Sequence, residues 1–129
     1  MKNRGFTLVE LIAVVIILGI LLAVGIPQYR RAIERARGAA AYSTLGAIQS
    51  AQQVYHQDFE TYNGTLVRLG VTPPPVARSG WAFAILDSNA TVFNAQAVRG
   101  AGGPCAGNNI TVNETGVITE DWETCVNAL

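Results

Sequence analysis

The sequence predicts an α+β protein in which one long N-terminal helix packs on a four-stranded antiparallel sheet. Two observations lead to this prediction. The stretch from Gly5 to Pro27 is almost entirely apolar, and a helical pattern continues beyond it to about Tyr55–Phe59. Short alternating segments separated by turn residues then fill the C-terminal half, which is typical of hairpins. A long helix followed by a run of strands indicates a sheet laid on the apolar face of that helix.

The apolar stretch is long enough to cross a membrane. Its 21 residues from Phe6 to Ile26 would form a helix about 32 Å long, against about 30 Å for the hydrocarbon core of a bilayer. Glu10 is the single acid in this stretch, and an acid within a membrane span costs free energy. Two interpretations stay open: Glu10 is shallow enough to reach headgroup water, or it pairs with a positive partner.

Beyond Pro27, apolar residues recur at helical spacing and predict an amphipathic continuation of the helix. Pro27 favours a kink because it lacks a backbone N–H donor, and Gly19 and Gly25 weaken the turns before it. Asn63-Gly64 is expected to end the helical region. The predicted apolar face consists of Ile33, Ala36, Ala40, Ala47, Ala51, Val54 and Tyr55.

The C-terminal half is predicted to hold four strands and a glycine-rich loop. Three prolines at 73–75 predict an extended spacer before the first strand. The loop at 100–109 carries Cys105, and the turn at 113–116 closes the second hairpin. The predicted strands span about 80–86, 91–98, 110–112 and 117–119.

A short basic leader with Lys2 and Arg4 precedes the motif GFTLVE at residues 5–10 and the apolar run. This start resembles the leader and helix start of type IV prepilins and the related pseudopilins. The resemblance is close from the leader to just beyond Pro27, and it covers the rest of the chain by general plan. It implies that a prepilin peptidase cuts between Gly5 and Phe6 and methylates the new amine of Phe6.

The resemblance also implies an organisation for the whole chain. We divide it into a leader at 1–5, a membrane-spanning or filament-core half of the helix at 6–28, an amphipathic half at 29–62, and a disulfide-closed sheet region at 63–129. Glu10 would serve assembly. Gly19, Gly25 and Pro27 would mark where the helix breaks or stretches in a filament; the other interpretation of the two glycines is close helix packing in the membrane.

Partners and location follow from the same resemblance. The chain would assemble with its own copies into a helical filament, through the inner membrane and the pilus assembly machinery. The precursor would lie in the inner membrane with its head in the periplasm, and the mature subunit would reach an extracellular pilus.

Charge and cysteines bear on the orientation of the span. The arginines at positions 30, 31, 35 and 37 are interpreted as a headgroup anchor and a solvated helix face, although counting charges alone would place them in the cytoplasm. The resemblance and the pair Cys105 and Cys125 favour export, because an isolated cysteine pair in an exported domain indicates a disulfide. Two buried thiols or half a metal site remain the alternatives. His56 is the single histidine, so a four-ligand zinc site is not expected.

The sequence shows no catalytic constellation and no phosphate-binding loop, so we predict no enzyme and no cofactor. The chain has nine basic and nine acidic residues, and without the leader it has seven basic and nine acidic residues. This charge balance does not indicate direct binding of nucleic acid. Four Asn-x-Thr triplets, starting at 63, 89, 109 and 113, match the rule for N-glycosylation acceptors, and we leave that modification open. No metal site is predicted, because no EF-hand spacing is present among the C-terminal acids Glu114, Glu120, Asp121 and Glu123.

The sequence therefore predicts a structural subunit of a type IV pilus that supports adhesion, motility or DNA uptake. A pseudopilin of a type II secretion system is the close alternative. The cysteine pair favours a pilin, whereas calcium in the C-terminal loop would favour a pseudopilin. A membrane-anchored binding domain that never polymerises is the second alternative, and it leaves Glu10 and the Gly5-Phe6 junction unexplained.

Overall fold

The computed structural model describes residues 5–129, and the leader residues 1–4, with Lys2 and Arg4, lie outside the described residues. The described chain is one long helix, a four-stranded antiparallel sheet and two short helices, which confirms the predicted α+β arrangement. The two short helices were not predicted. The elements in chain order are α1 (Leu8–Phe59), α2 (Val76–Ser79), β1 (Trp81–Ser88), β2 (Phe93–Arg99), β3 (Asn109–Asn113), β4 (Ile118–Glu120) and α3 (Trp122–Ala128).

Helix α1 is continuous over 52 residues and passes through Pro27. Gly19 and Gly25 also lie within it, so the break at these three positions remains a prediction for the assembled filament. The helix ends at Phe59, because Glu60 takes the left-handed conformation with φ 54° and donates its N–H to the His56 carbonyl at 2.9 Å. The helix therefore ends within the predicted limit of Tyr55–Phe59, and Asn63-Gly64, expected to end the helical region, lies about one turn further on.

The face of α1 that packs on the sheet also differs from the predicted one. Its buried residues recur every three or four positions: Glu34, Gly38, Ala41, Leu45, Ile48 and Gln52. Of the seven residues predicted for this face, four are exposed: Ala36, Ala40, Ala47 and Val54. The other three are half-buried. The hydrophobic pattern predicted the wrong face because the buried face contains two polar side chains and a glycine. The burial of these residues depends on partners far along the chain.

The sheet has the strand order β1-β2-β3-β4, and every pair is antiparallel. Along β2, alternate residues are buried, and these are Phe93, Ala95, Ala97 and Arg99. The two alanines leave room for α1 to approach the sheet. The ends of the predicted strands lie within two residues of the observed ones, and β1 runs on to Ser88 through a register shift between Ile85 and Asp87.

The core lies between α1 and the sheet and is closed at one end by α3. Trp81, Phe93, Leu45 and Ile48 are among its largest fully buried side chains. Trp122, at the start of α3, packs against Trp81 with their ring centroids 5.7 Å apart. A disulfide joins Cys105 in the loop after β2 to Cys125 in α3, with Cα atoms 5.8 Å apart, which confirms the predicted bond.

Candidate processing and assembly site

The Gly5-Phe6 junction lies directly before α1. Both residues are exposed and neither belongs to a helix or strand. Phe6 is 79% exposed. The peptide bond that the prepilin resemblance marks for cleavage is therefore accessible in the described chain, and glycine on its N-terminal side lets another backbone approach closely.

Thr7 and Glu10 form a capping box that starts α1. The Glu10 backbone N–H donates to the Thr7 hydroxyl oxygen at 3.3 Å, and the Thr7 backbone N–H donates to Glu10 Oε2 at 2.9 Å. The Thr7 hydroxyl donates to the same Oε2 at 2.8 Å. Two otherwise unpaired amide groups at the helix start are thereby satisfied, and the negative charge lies at the positive end of the helix dipole.

This box is a role for Glu10 that our sequence analysis missed. The signal was present, because Thr followed three residues later by Glu before an apolar run is the sequence signature of a capping box. Both hydrogen bonds use Oε2, so within residues 5–129 the other oxygen, Oε1, has no hydrogen-bond partner. Glu10 can therefore serve the cap and still accept a hydrogen bond from a further donor.

The apolar half of α1, which we define as Leu8–Ile26, is exposed at every position. Its large side chains are about half to three-quarters exposed, for example Ile12 at 51% and Leu8 at 73%. Because of this apolar half, α1 is the one helix within the described residues that is long and apolar enough to cross a membrane. An apolar surface of this size is not stable in water, so lipid or other protein must cover it.

Glu34 is the first buried residue of α1, and it is held by Arg99 at the end of β2. Arg99 donates from Nε to Glu34 Oε2 and from Nη2 to Oε1, each at 3.0 Å, and from Nη1 to the Gly80 carbonyl at 2.7 Å. Arg37 adds a bond to Oε1 at 2.9 Å. The hydrogen bonds from Arg99 are the largest cause of a lowered Glu34 pKa, and burial acts in the opposite direction. This pair fixes the head against the helix one turn beyond Arg30.

A second buried polar pair holds the loop that follows α1. Gln52 donates from Nε2 to the Asn63 carbonyl at 2.7 Å, and the Asn63 N–H donates back to Gln52 Oε1 at 2.9 Å. Both residues are buried, so each satisfies the polar groups of the other. No short sequence pattern marks this pair or the Glu34–Arg99 pair, so neither was predicted from the sequence.

Three of the four Asn-x-Thr triplets close turns. In each, the Asn side-chain oxygen accepts from both the backbone N–H and the hydroxyl of the Thr two residues on. These triplets begin at Asn63, Asn89 and Asn113. The fourth begins at Asn109 in β3, where Thr111 donates to the Thr119 carbonyl instead. The triplets therefore have a structural role, and glycosylation stays an open prediction.

The C-terminal acids take part in local structure. Glu120 accepts a hydrogen bond from the Tyr42 hydroxyl, and Asp121 accepts one from the Asn109 N–H at 2.6 Å. Burial, followed by the neighbouring Glu123 carboxyl, raises the Glu120 pKa. Within residues 5–129, no group of three His, Cys, Asp or Glu side chains is placed to hold a metal ion.

Comparison with protein families identifies the family of this chain. Residues 1–26 match the family model described as the prokaryotic N-terminal methylation motif. Residues 27–108 match the model described as type IV minor pilin ComP, DNA uptake sequence receptor. The chain belongs to the type IV pilin family. The resemblance seen at the N-terminus thus extends through most of the head.

Individual relatives of this pilin include both pilins and a pseudopilin. The type IV major pilin protein PilA of Myxococcus xanthus is 34% identical over 110 residues, which cover 84% of this chain and 50% of that protein. The type II secretion system core protein G of Dickeya chrysanthemi is 34% identical over 79 residues, 57% of this chain and 52% of that protein. The type IV narrow pilus major component PilA5 of Thermus thermophilus is 31% identical over 117 residues, 88% of this chain and 100% of that protein. The chain spans about half the length of the first two relatives and the full length of the third.

Proposed function

We propose that this pilin is a structural subunit of a type IV pilus filament. The observation that supports this best is the exposed apolar half of α1, which the head leaves uncovered from end to end. Lipid of the inner membrane would cover this half before assembly, and the same half of neighbouring subunits would cover it in a filament. The full-length alignment with a type IV narrow pilus major component supports the same function.

We infer that the precursor is cut between Gly5 and Phe6 and that the new amine of Phe6 is methylated. The match of residues 1–26 to the methylation motif supports this, and so does the exposure of the junction. The new amine would lie one residue before the capping residue Thr7. It would be positively charged and close to the unused Oε1 of Glu10.

Glu10 is proposed to draw an incoming subunit to the correct depth. Two unpaired charges in an apolar environment are costly, and an amine and a carboxylate that pair across subunits offset one another. A pair within one helix is the competing geometry. The head is proposed to lie in the periplasm before assembly and on the outer surface of an extracellular pilus afterwards.

The experiment expresses the chain as the only pilin in a host that has a type IV pilus machinery. Intact mass should show a chain that begins at Phe6 and carries one added methyl group, and electron microscopy should show filaments that contain it. Gly5→Val is the control, because a β-branched side chain at the cut position should block processing and filaments together. A mature chain that begins at Met1, or processed subunits without filaments, would contradict the proposal.

The pseudopilin function remains the alternative, and the identity with type II secretion system core protein G favours it. Restoration of protein secretion in a strain without that core protein, together with an absence of surface filaments, would decide for it. Adhesion and motility are properties of the whole filament and follow only if filaments form.

Direct DNA binding is a second candidate function, because the description of the matching family names a DNA uptake sequence receptor. Charge does not favour it in this chain. The region 63–129 carries three arginines, one of them the buried Arg99, against five acids, whereas DNA binding relies on exposed basic groups. Fluorescence anisotropy with a labelled duplex at two salt concentrations tests it, since specific binding should weaken steeply with salt.

A further inference from the structure

We propose that four arginines just beyond the apolar half of α1 bind the anionic headgroups of membrane phospholipids while the subunit is in the membrane. We call this set the arginine collar, and it consists of Arg30, Arg31, Arg35 and Arg37. The proposal concerns the membrane-held subunit, so it does not depend on whether that subunit later enters a pilus or a pseudopilus.

The position of the collar along α1 places it at the membrane surface. If Ile26 lies at the edge of the hydrocarbon core, Arg30 begins about 6 Å beyond that edge and Arg37 about 17 Å beyond it. Side chains on a helix tilt toward its N-terminus, and here the N-terminus points into the membrane. The long arginine side chains therefore lean back toward the headgroups rather than away from them.

The charge of the collar is largely unpaired. Glu34 is the single acid within residues 30–37, and the buried Arg99 already engages both of its oxygens. In the described part of the chain, the two ion pairs are Glu34–Arg99 and Glu34–Arg37. Arg30, Arg31 and Arg35 thus have no carboxylate within 4.0 Å among residues 5–129. Arg35 donates from Nη2 to the exposed Asn127 Oδ1 at 3.5 Å, and Arg37 donates to Glu34, so each of these two has other donors left for phosphate. The planar guanidinium fork is well suited to bind phosphate.

The collar presents donors on both sides of the head. At about 100° per residue, Arg30 and Arg37 lie on one side of the buried Glu34, and Arg31 and Arg35 lie on the other. Arg30 and Arg37 line one recess together with Gly102 and Gly103 of the loop after β2. On the opposite side, Arg31 Nε is buried and lacks a hydrogen-bond partner within residues 5–129. Arg31 Nη1 and Nη2 are not buried in this way, so they are the nitrogens that a phosphate oxygen can reach.

Lipid fits the collar better than nucleic acid. The collar lies within about 17 Å of the hydrocarbon edge, with the head on the other side of it, so a bulky duplex has little access. Lipid phosphates are already present at this depth. Each arginine near an anionic membrane surface contributes about a fivefold preference for anionic lipid.

Native mass spectrometry of the full chain in detergent tests the proposal. The chain is titrated with phosphatidylglycerol and, separately, with the zwitterionic phosphatidylethanolamine. Arg30→Gln should weaken the binding of phosphatidylglycerol roughly fivefold and Arg30→Gln/Arg35→Gln roughly 25-fold, with phosphatidylethanolamine unchanged. Arg68→Gln is the matched control, because Arg68 is exposed and lies by Asp58 and Phe59 at the far end of α1. It should leave both affinities unchanged.

Three results would overturn the proposal. Equal binding of the two lipids would show that the charge is not used, and an equal loss in Arg68→Gln would show that the collar is not the site. Displacement of phosphatidylglycerol by a short DNA duplex, abolished in the double variant, would assign the collar to nucleic acid. Unchanged circular dichroism and unfolding midpoint in Arg30→Gln exclude misfolding as the cause of a loss.

Discussion

The Glu34 carboxylate and the Arg99 guanidinium form two parallel hydrogen bonds of 3.0 Å across 65 residues of sequence, with both side chains buried. Glu34 is also the first residue of α1 that the head buries. The pair therefore marks the boundary between the part of the helix that the head holds and the part that is left for lipid or for neighbouring subunits. Any stretching of α1 in a filament is expected on the N-terminal side of Glu34.

Removing Glu34 should destabilise the head strongly. In Glu34→Ala the buried Arg99 keeps its charge without a counter-charge, and breaking a buried ion pair in this way costs about 3–5 kcal/mol. Unfolding of the detergent-solubilised chain, followed by tryptophan fluorescence, measures the loss. Asp58→Ala, at an exposed site on the same helix, should change the free energy of unfolding by less than about 0.5 kcal/mol. A similar small change in Glu34→Ala would mean that solvent reaches Arg99.

The same pair should make stability depend on pH. The Glu34 pKa in the folded chain is lowered from 4.5, mainly by the Arg99 hydrogen bonds. The stability that this shift contributes is therefore fully present above 4.5 and is lost as pH falls through the lowered folded value. Unfolding curves between pH 6 and pH 3 measure it. Glu34→Gln should lose this part of the acid dependence, and an unchanged acid profile in that variant would refute the assignment.

Glu120 should give stability the opposite dependence on pH. Its folded pKa is raised above 4.5, by burial first and then by Glu123. A raised carboxyl pKa means that stability falls as pH rises from 4.5 through the folded value. Comparison of the chain with its Glu123→Gln variant over this range isolates the effect. The variant should lose less stability on going to neutral pH, and an equal loss in both proteins would show that Glu123 does not influence Glu120.

Two glycines of α1 should respond in opposite directions to alanine. A Cβ at Gly38 would overlap the ring of Trp122, whereas nothing lies within 4 Å of a Cβ at Gly46. Gly46→Ala should stabilise by up to about 1 kcal/mol through helix propensity. Gly38→Ala should destabilise by about 1–3 kcal/mol, because the overpacked Trp122 has to move. Thermal unfolding of both variants measures whether Gly46→Ala stabilises the chain and Gly38→Ala destabilises it. Stabilisation by Gly38→Ala would show that α3 is not packed on this face.

The disulfide should matter for the stability of the head. Cys105→Ser is expected to cost about 2–5 kcal/mol, the usual range for loss of a native bridge in a small exported domain. Subunit levels and filaments should fall together. Thiol labelling of the native protein provides the direct check, and labelling of both cysteines without reductant would show that the bond is absent in the cell.

Glu10 should be needed for assembly more than for processing. Glu10→Gln keeps the shape of the side chain and removes its charge, so processing and membrane insertion should stay intact while filament number drops sharply. Thr7→Ala separates the two roles of Glu10, because it removes the capping hydroxyl and keeps the carboxylate. Filament counts by electron microscopy should remain near normal in Thr7→Ala. An equal drop in both variants would mean that Glu10 acts only through the helix cap.

The sequence by itself determined the features that depend on a short run of neighbouring residues. The apolar half of α1, the Gly5-Phe6 junction and Glu10 are contiguous, and the four strands alternate locally, so each could be located to within a few residues. The capping role of Thr7 was also readable, because it depends on a residue only three positions away. The disulfide needed the assumption of export in addition to the two cysteines.

Only the tertiary structure decided which face of α1 lies against the sheet. That face includes Glu34 and Gln52, and a polar side chain is buried without penalty only when another part of the chain supplies its partner. The partners are Arg99, 65 residues away, and Asn63 in the loop beyond the helix. Helix α3, with seven residues, is too short to show a period, and its place depends on the close fit of Trp122 over Gly38. Long-range pairing and close packing of this kind leave no local pattern, because they depend on residues that meet only after folding.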